Sequence, residues 1–123
     1  MNVTVDALIR VANAEKSKGR VSGAASELNV RNRRFFGVSS FKHSVHQVVQ
    51  AALSRVPSGS REPWHGWCAE VSCLSQSFDV FVDPDGGTIR TVNIGESGKG
   101  HGKPKKTCRS CDVVLKDLGV NHA

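Results

Sequence analysis

The chain has 123 residues, 38% of them hydrophobic and 23% charged, which is the composition of a single globular domain, residues 1–123, with one core. No apolar run approaches the roughly 20 residues of a spanning helix, and Asp6 and Arg10 interrupt what would have to be the uncharged stretch of a signal peptide, so neither membrane contact nor an N-terminal export signal is expected. Seventeen Lys and Arg against eleven Asp and Glu leave a net charge of +6. Nine of the basic residues fall between Lys16 and Arg61 beside one acid, Glu27, and a second cluster comprises Lys99, Lys103, Lys105, Lys106 and Arg109. Two separated basic segments suit a polyanionic ligand such as nucleic acid, although a solvated surface has the same composition.

Val5, Leu8, Val11 and Ala12 recur at helical spacing, which predicts a first amphipathic helix ended by Gly19. Leu28, Val30, Phe35, Phe36, Val38 and Phe41 flank Arg31-Asn32-Arg33, as in two strands joined near Asn32, with Gly37 a candidate bulge. Ser44-x-x-Gln47 reads as a capping box, and Val45, Val48, Val49, Ala52, Leu53 and Val56 continue the helix to Pro57. After a loop, Val71, Leu74, Ser75 and Phe78 form one face of a helix starting near Trp67, so that Cys68 and Glu70 fall in its first turn. Asp83 to Gly87 is a turn and Thr88 to Ile94 a strand. Gly95 to Lys106, with four glycines and Pro104, reads as a flexible loop, and the last helix runs from Cys108 to about Leu118, capped by Thr107 and closed by Gly119. The order α, β-β, α, α, β, α predicts an α/β fold, helices packed on a small mixed sheet.

Cys68, Cys73, Cys108 and Cys111 are the four cysteines. Two disulfides are one reading of that count, but Cys108-Arg-Ser-Cys111 at the head of a predicted helix suits metal or redox chemistry better. Residues three apart on a helix share a face, so both thiolates can reach one zinc ion, and a third from Cys68 leaves one tetrahedral position for water. Cys73, inside the helix, reads as a core residue. Glu70 then stands two residues from the first ligand, off the metal, where it can take a proton from that water and pass it to a substrate. This is the C-x-E and C-x-x-C pattern of the zinc deaminases. Two helix N-termini, with Arg109 between Cys108 and Cys111, are expected to add positive potential and so offset the weaker Lewis acidity of a three-thiolate zinc.

Gly37-Val-Ser-Ser40, the helix around His46 to Leu53, Trp67-Cys-Ala-Glu-Val71, Leu74-Ser75, Lys106-Thr-Cys-Arg-Ser-Cys111 and Leu118-Gly-Val120 together resemble the YwqJ-like branch of bacterial toxin deaminases, over about Ser26 to Val120. The resemblance implies a three-layer cytidine deaminase-like fold with zinc held at two helix N-termini by Cys68, Cys108 and Cys111, and proton transfer by Glu70. It also implies a C-terminal toxin module of a larger secreted protein, acting in the cytoplasm of a target cell, with a cognate immunity protein as partner. Thr107 stands where the family usually has proline, and the strands that many deaminases carry after the last helix are expected to be absent or shortened.

The reaction expected is hydrolytic conversion of cytosine to uracil, most readily in single-stranded DNA, by a monomeric enzyme. Trp64, Trp67, Phe41 and His43 are candidates to stack on the base, or else core residues, and Ser39 and Ser40 candidates to hydrogen-bond the base or sugar, or else a turn. Arg31, Arg33 and Arg34, and Lys99, Lys103, Lys105 and Lys106, are expected to rim the zinc pocket, with Arg33 and Lys105 among the substrate contacts. Two alternatives stand beside this reading. A free-nucleoside cytidine deaminase would need no strongly basic surface, and a non-catalytic zinc module binding nucleic acid would have no use for Glu70.

Overall fold

The first helix, α1 (Ala7–Ser17), begins where the Asp6 carboxylate accepts the Leu8 N–H at 2.9 Å. It ends before Gly19, whose φ of +95° favours glycine. The computed structural model describes residues 6–40, 42–62, 65–96 and 98–123. Strands β1 (Ala24–Val30) and β2 (Arg33–Val38) form an antiparallel hairpin, and Arg31 and Asn32 at its tip both take positive φ, 49° and 63°. That geometry matches the right-handed twist of the two strands. Helices α2 (Gln47–Ser54) and α3 (Ala69–Asp79) follow, then β3 (Thr88–Asn93), α4 (Arg109–Asp117) and a two-residue β4 (Asn121–His122).

The sheet order is β2-β1-β3-β4, antiparallel throughout except for the parallel pairing of β3 with β4. Side chains alternate across it, and each face buries a separate apolar cluster. On one face Leu8 and Ala12 of α1 cover Ala25, Val92 and Ile94. On the other, Val49 and Leu53 of α2, Val71 and Leu74 of α3, and Val114 and Leu115 of α4 join Leu28, Val30, Phe35 and Ile89. The result is the expected three-layer α/β arrangement around a small mixed sheet. Among the described residues no helix is long and apolar enough to cross a membrane.

Four local expectations are corrected. Gly37 is not a bulge, because it pairs in regular register with Ser26. A Cβ there would lie 2.7 Å from the Ala69 carbonyl oxygen and from Ser72 Cβ, so the missing side chain is what lets the first turn of α3 lie against β2. The Ser44 capping box does not form. His46 takes the N-cap instead, its Nδ1 accepting the Val48 N–H at 3.1 Å while its ring stacks on Phe78 at 5.3 Å. Thr107 does not cap α4, since Cys108 occupies that position. Finally, the glycine-rich segment after β3 is held to that strand. Asn93 N–H donates to the Lys103 carbonyl at 2.9 Å, Gly102 N–H to the Asn93 carbonyl at 2.8 Å and Lys105 N–H to the Thr91 carbonyl at 2.9 Å.

Candidate active site

Cys68 and Cys108 are the N-cap residues of α3 and α4, and Cys111 lies one turn into α4. The three Sγ atoms all lie within 4.8 Å of one another, those of Cys68 and Cys108 at 3.4 Å. Thiolates about 2.3 Å from one tetrahedral zinc are about 3.8 Å apart, so this soft donor set fits such an ion and leaves one position for a ligand from outside the chain. The local chemistry already favours negative charge there. Cys108 is held far below the ordinary thiol range, first by hydrogen bonds from Cys111 and Cys68 and then by the Cys111 backbone N–H. Cys68 and Cys111 are pushed up, chiefly by giving those hydrogen bonds to Cys108 and by burial. A divalent cation would ionise all three. Cys73 stays outside the cluster as a core thiol, 3.4 Å from the carbonyl oxygens of Ser26 and Phe35.

Glu70, in the first turn of α3, is only 3% exposed. Burial pushes its carboxyl above the usual carboxylate range, against backbone and Thr91 hydrogen bonds and the positive charge of Lys105. Thr91 Oγ1 lies 3.0 Å from Glu70 Oε2 and 2.6 Å from Ser26 Oγ. The carboxyl lines a cavity of about 430 Å³ together with Cys68, Cys108, Ser39, Ser40, Trp67, Lys105 and Arg20. The cavity thus joins two of the thiols, a buried acid, a half-exposed indole and two cations.

Of the residues expected to contact substrate, Ser39, Ser40, Trp67 and Lys105 are brought to this cavity. His43 is instead occupied with the loop before α3, its Nε2 lying 2.8 Å from the Gly66 carbonyl oxygen. Arg33 does not reach the rim. It begins β2 at the hairpin tip, six residues before Ser39, or about 20 Å at strand rise, and its guanidinium lies 5.6 Å from the Phe35 ring centroid. Arg31 and Arg34 belong to the same remote end. Arg109 does not lend its charge to the thiols either, because it turns outward to Glu62 with Nε 3.0 Å from Oε1. Phe41 and Trp64 lie outside the described residues.

Sequence reasoning missed Arg20, which lines the cavity and clamps its wall. It bonds to the Ser39 carbonyl, to Ser39 Oγ at 3.1 Å and to the Ser22 carbonyl at 2.9 Å, and pairs with Glu15 at 3.3 Å. Its only signal was membership of a basic stretch. Thr91 and Ser26 were missed as well, since a hydroxyl inside a strand looks the same whether it faces a site or a neighbouring backbone.

A thiol cluster at two helix starts, with a carboxylate two residues from the first thiol, is a pattern shared with deaminases. The model of the YwqJ-like deaminase family matches residues 37–120. The chain therefore belongs to the YwqJ-like deaminases, and its sheet and helices are consistent with a cytidine deaminase-like fold. Searches of curated proteins and of solved structures find no match.

Proposed function

We propose that the protein is a zinc-dependent enzyme that hydrolyses cytosine to uracil and ammonia in single-stranded DNA. In this proposal it acts as the monomeric toxin module of a larger secreted protein, inside the cytoplasm of a target cell, and is held in check by an immunity partner. The observation that carries the chemistry is Glu70, buried and raised in pKa at the wall of a cavity that two of the three convergent thiols, Cys68 and Cys108, also line. A carboxyl so poised can be ionised to accept a proton and protonated to return it.

Bound zinc would supply Lewis acidity at the position the three thiolates leave free. Glu70 takes one proton from the attacking water and delivers it to N3 of the base, then takes the second from the hydroxyl now on C4 and delivers it to the amine, which leaves as ammonia as the C4–O bond becomes a carbonyl. Trp67, 49% exposed at the cavity mouth, offers a face on which the base stacks, and Ser39 and Ser40 offer hydroxyls to base or sugar. Lys105 draws the adjoining phosphate. A second groove beside the cavity, lined by Lys99, Lys105 and Lys106, extends the cationic track away from it, which supports a polymer over a free nucleoside.

The test is uracil formation and ammonia release on cytidine, single-stranded DNA, duplex DNA and RNA, together with sequencing of DNA and RNA from cells expressing the protein. C-to-T changes in DNA are the expected record. Turnover of free cytidine as fast as that of oligonucleotides would replace the polymer reading with the nucleoside one.

A further inference from the structure

We propose that Thr91, backed by Ser26, is the positioning residue that holds Glu70 for proton transfer; the inference rests on the deaminase reading above and concerns residues other than the thiols. The three side chains come from three elements. Ser26 is on β1, Thr91 faces it across the antiparallel pairing on β3, and Glu70 descends from the first turn of α3. Ser26 and Thr91 are 0% and 3% exposed, so their hydroxyls find partners within the protein.

Counting protons fixes the direction of the chain. Glu70 must be ionised to take a proton from water, and in that form it only accepts, so the Thr91 hydroxyl, 3.0 Å away, donates its single proton to Glu70 Oε2. Thr91 then has only lone pairs to offer Ser26 at 2.6 Å, and Ser26 is the donor to Thr91. Both hydroxyl dipoles point toward the same carboxylate oxygen, and each strengthens the other. Held in this way, the carboxyl is aimed for exchange of protons with water and base. The arrangement ties the Glu70 side chain to both β1 and β3 through hydroxyls rather than through an ion pair.

A merely structural role, satisfying a buried acid, makes a different prediction from a positioning role. The experiment uses zinc-loaded protein and a single-stranded oligonucleotide carrying whichever base the parent deaminates. Thr91→Val, which keeps the volume and removes the hydroxyl, should lower kcat by about ten- to a hundredfold with KM changed by less than about twofold and zinc content unchanged. Thr91→Ser should recover kcat to within about threefold of the parent. On a Glu70→Gln background, adding Thr91→Val should change the residual rate by less than about twofold, because the group it positions is gone.

A Thr91→Val variant with parental kcat, or one that lowers the residual rate of Glu70→Gln by the same factor as it lowers the parent's, overturns the inference while leaving the deaminase reading intact. Should Thr91→Val fail to fold, Ser26→Ala decides. A fall in kcat of about twofold or more at constant KM supports the chain, and no change overturns it. A correctly folded, zinc-loaded parent that deaminates no base in any of the four substrates overturns the deaminase reading, and this inference with it.

Discussion

Glu70 and Glu27 are both buried carboxyls, 3% and 2% exposed, yet they lie on opposite sides of the sheet and are treated in opposite ways. Glu27 on β1 meets two guanidinium groups, Arg34 Nε at 3.2 Å and Arg90 at 3.3 Å, and Arg90 also reaches Asp6 at the start of α1. Glu70 meets a threonine hydroxyl and the more distant charge of Lys105. A carboxylate held by two guanidinium groups from neighbouring strands is a fastening, with both oxygens engaged in joining β1 to β2 and β3. One held by a hydroxyl and desolvated is pushed above the usual carboxylate range and has no cation fixed against it. The difference shows that burial alone marks no function; what matters is which partners cancel the cost of burial.

The largest effect that would sharpen this contrast is expected at the thiols. Serine at Cys68, Cys108 or Cys111 should reduce zinc from about one per chain to near none, abolish deamination and lower the thermal midpoint by about 10 °C or more, while serine at Cys73 keeps the metal. Elemental analysis and thermal denaturation read both. A Cys68–Cys73 or Cys108–Cys111 disulfide in the purified protein would break the metal reading outright.

Next comes the exchange of roles between the two acids. Glu70→Gln should lower kcat by about a thousandfold with zinc retained, whereas Glu27→Gln should leave kcat within about threefold but cost about 1–3 kcal/mol of stability in urea denaturation. The pH dependence carries the same contrast. Since burial raises the Glu70 carboxyl, the folded chain keeps a proton that the unfolded chain releases. Its contribution to stability is therefore present at low pH and is lost as pH rises from the usual carboxylate range through the raised folded value. In zinc-free protein, Glu70→Gln should gain stability on the parent across that window, and a difference that stays flat would mean the carboxyl is not held up.

The thiol cluster was legible because its signals are local. Cys108 and Cys111 sit three apart, Cys68 and Glu70 two apart, and each pair opens a helix whose apolar spacing is visible without a structure. Lys105 was legible only as charge, and what carries it to the cavity is its backbone bond to Thr91, made between segments with no shared pattern. Arg33 went astray for the same reason in reverse. It looks close to the site along the chain, but an antiparallel strand carries chain neighbours to opposite ends of the sheet. The helix caps at His46 and Cys108 were hidden too, because neither side chain is a habitual cap and each takes the position through tertiary or thiol chemistry.

A moderate effect separates the two basic ends. Alanine at Lys103, Lys105 and Lys106 should weaken oligonucleotide binding and reduce its salt slope by about one unit for each phosphate no longer neutralised, while alanine at Arg31 and Arg33 should leave the slope unchanged. Equal slopes for both variants would return the hairpin to the substrate path. The smallest effect belongs to the fastening side: Asp6→Ala, which removes the cap of α1 and one partner of Arg90, should cost about 1 kcal/mol and leave activity untouched.

The segment that brings Lys105 to the cavity also covers an edge of this small sheet at which other chains could otherwise pair. An open strand edge is a template for aggregation. Here β4 pairs with Thr88 and Ile89, and the returning loop takes over at Thr91 to Asn93, so the outer side of β3 is paired along nearly its whole length. At the opposite edge β2 starts with Arg33 and Arg34, two exposed charges that a neighbouring strand would have to desolvate. Deleting the loop between Gly95 and Lys103 would therefore cost more than substrate affinity. It would uncover a β-branched strand, and the shortened protein should associate edge to edge at concentrations where the parent stays dispersed.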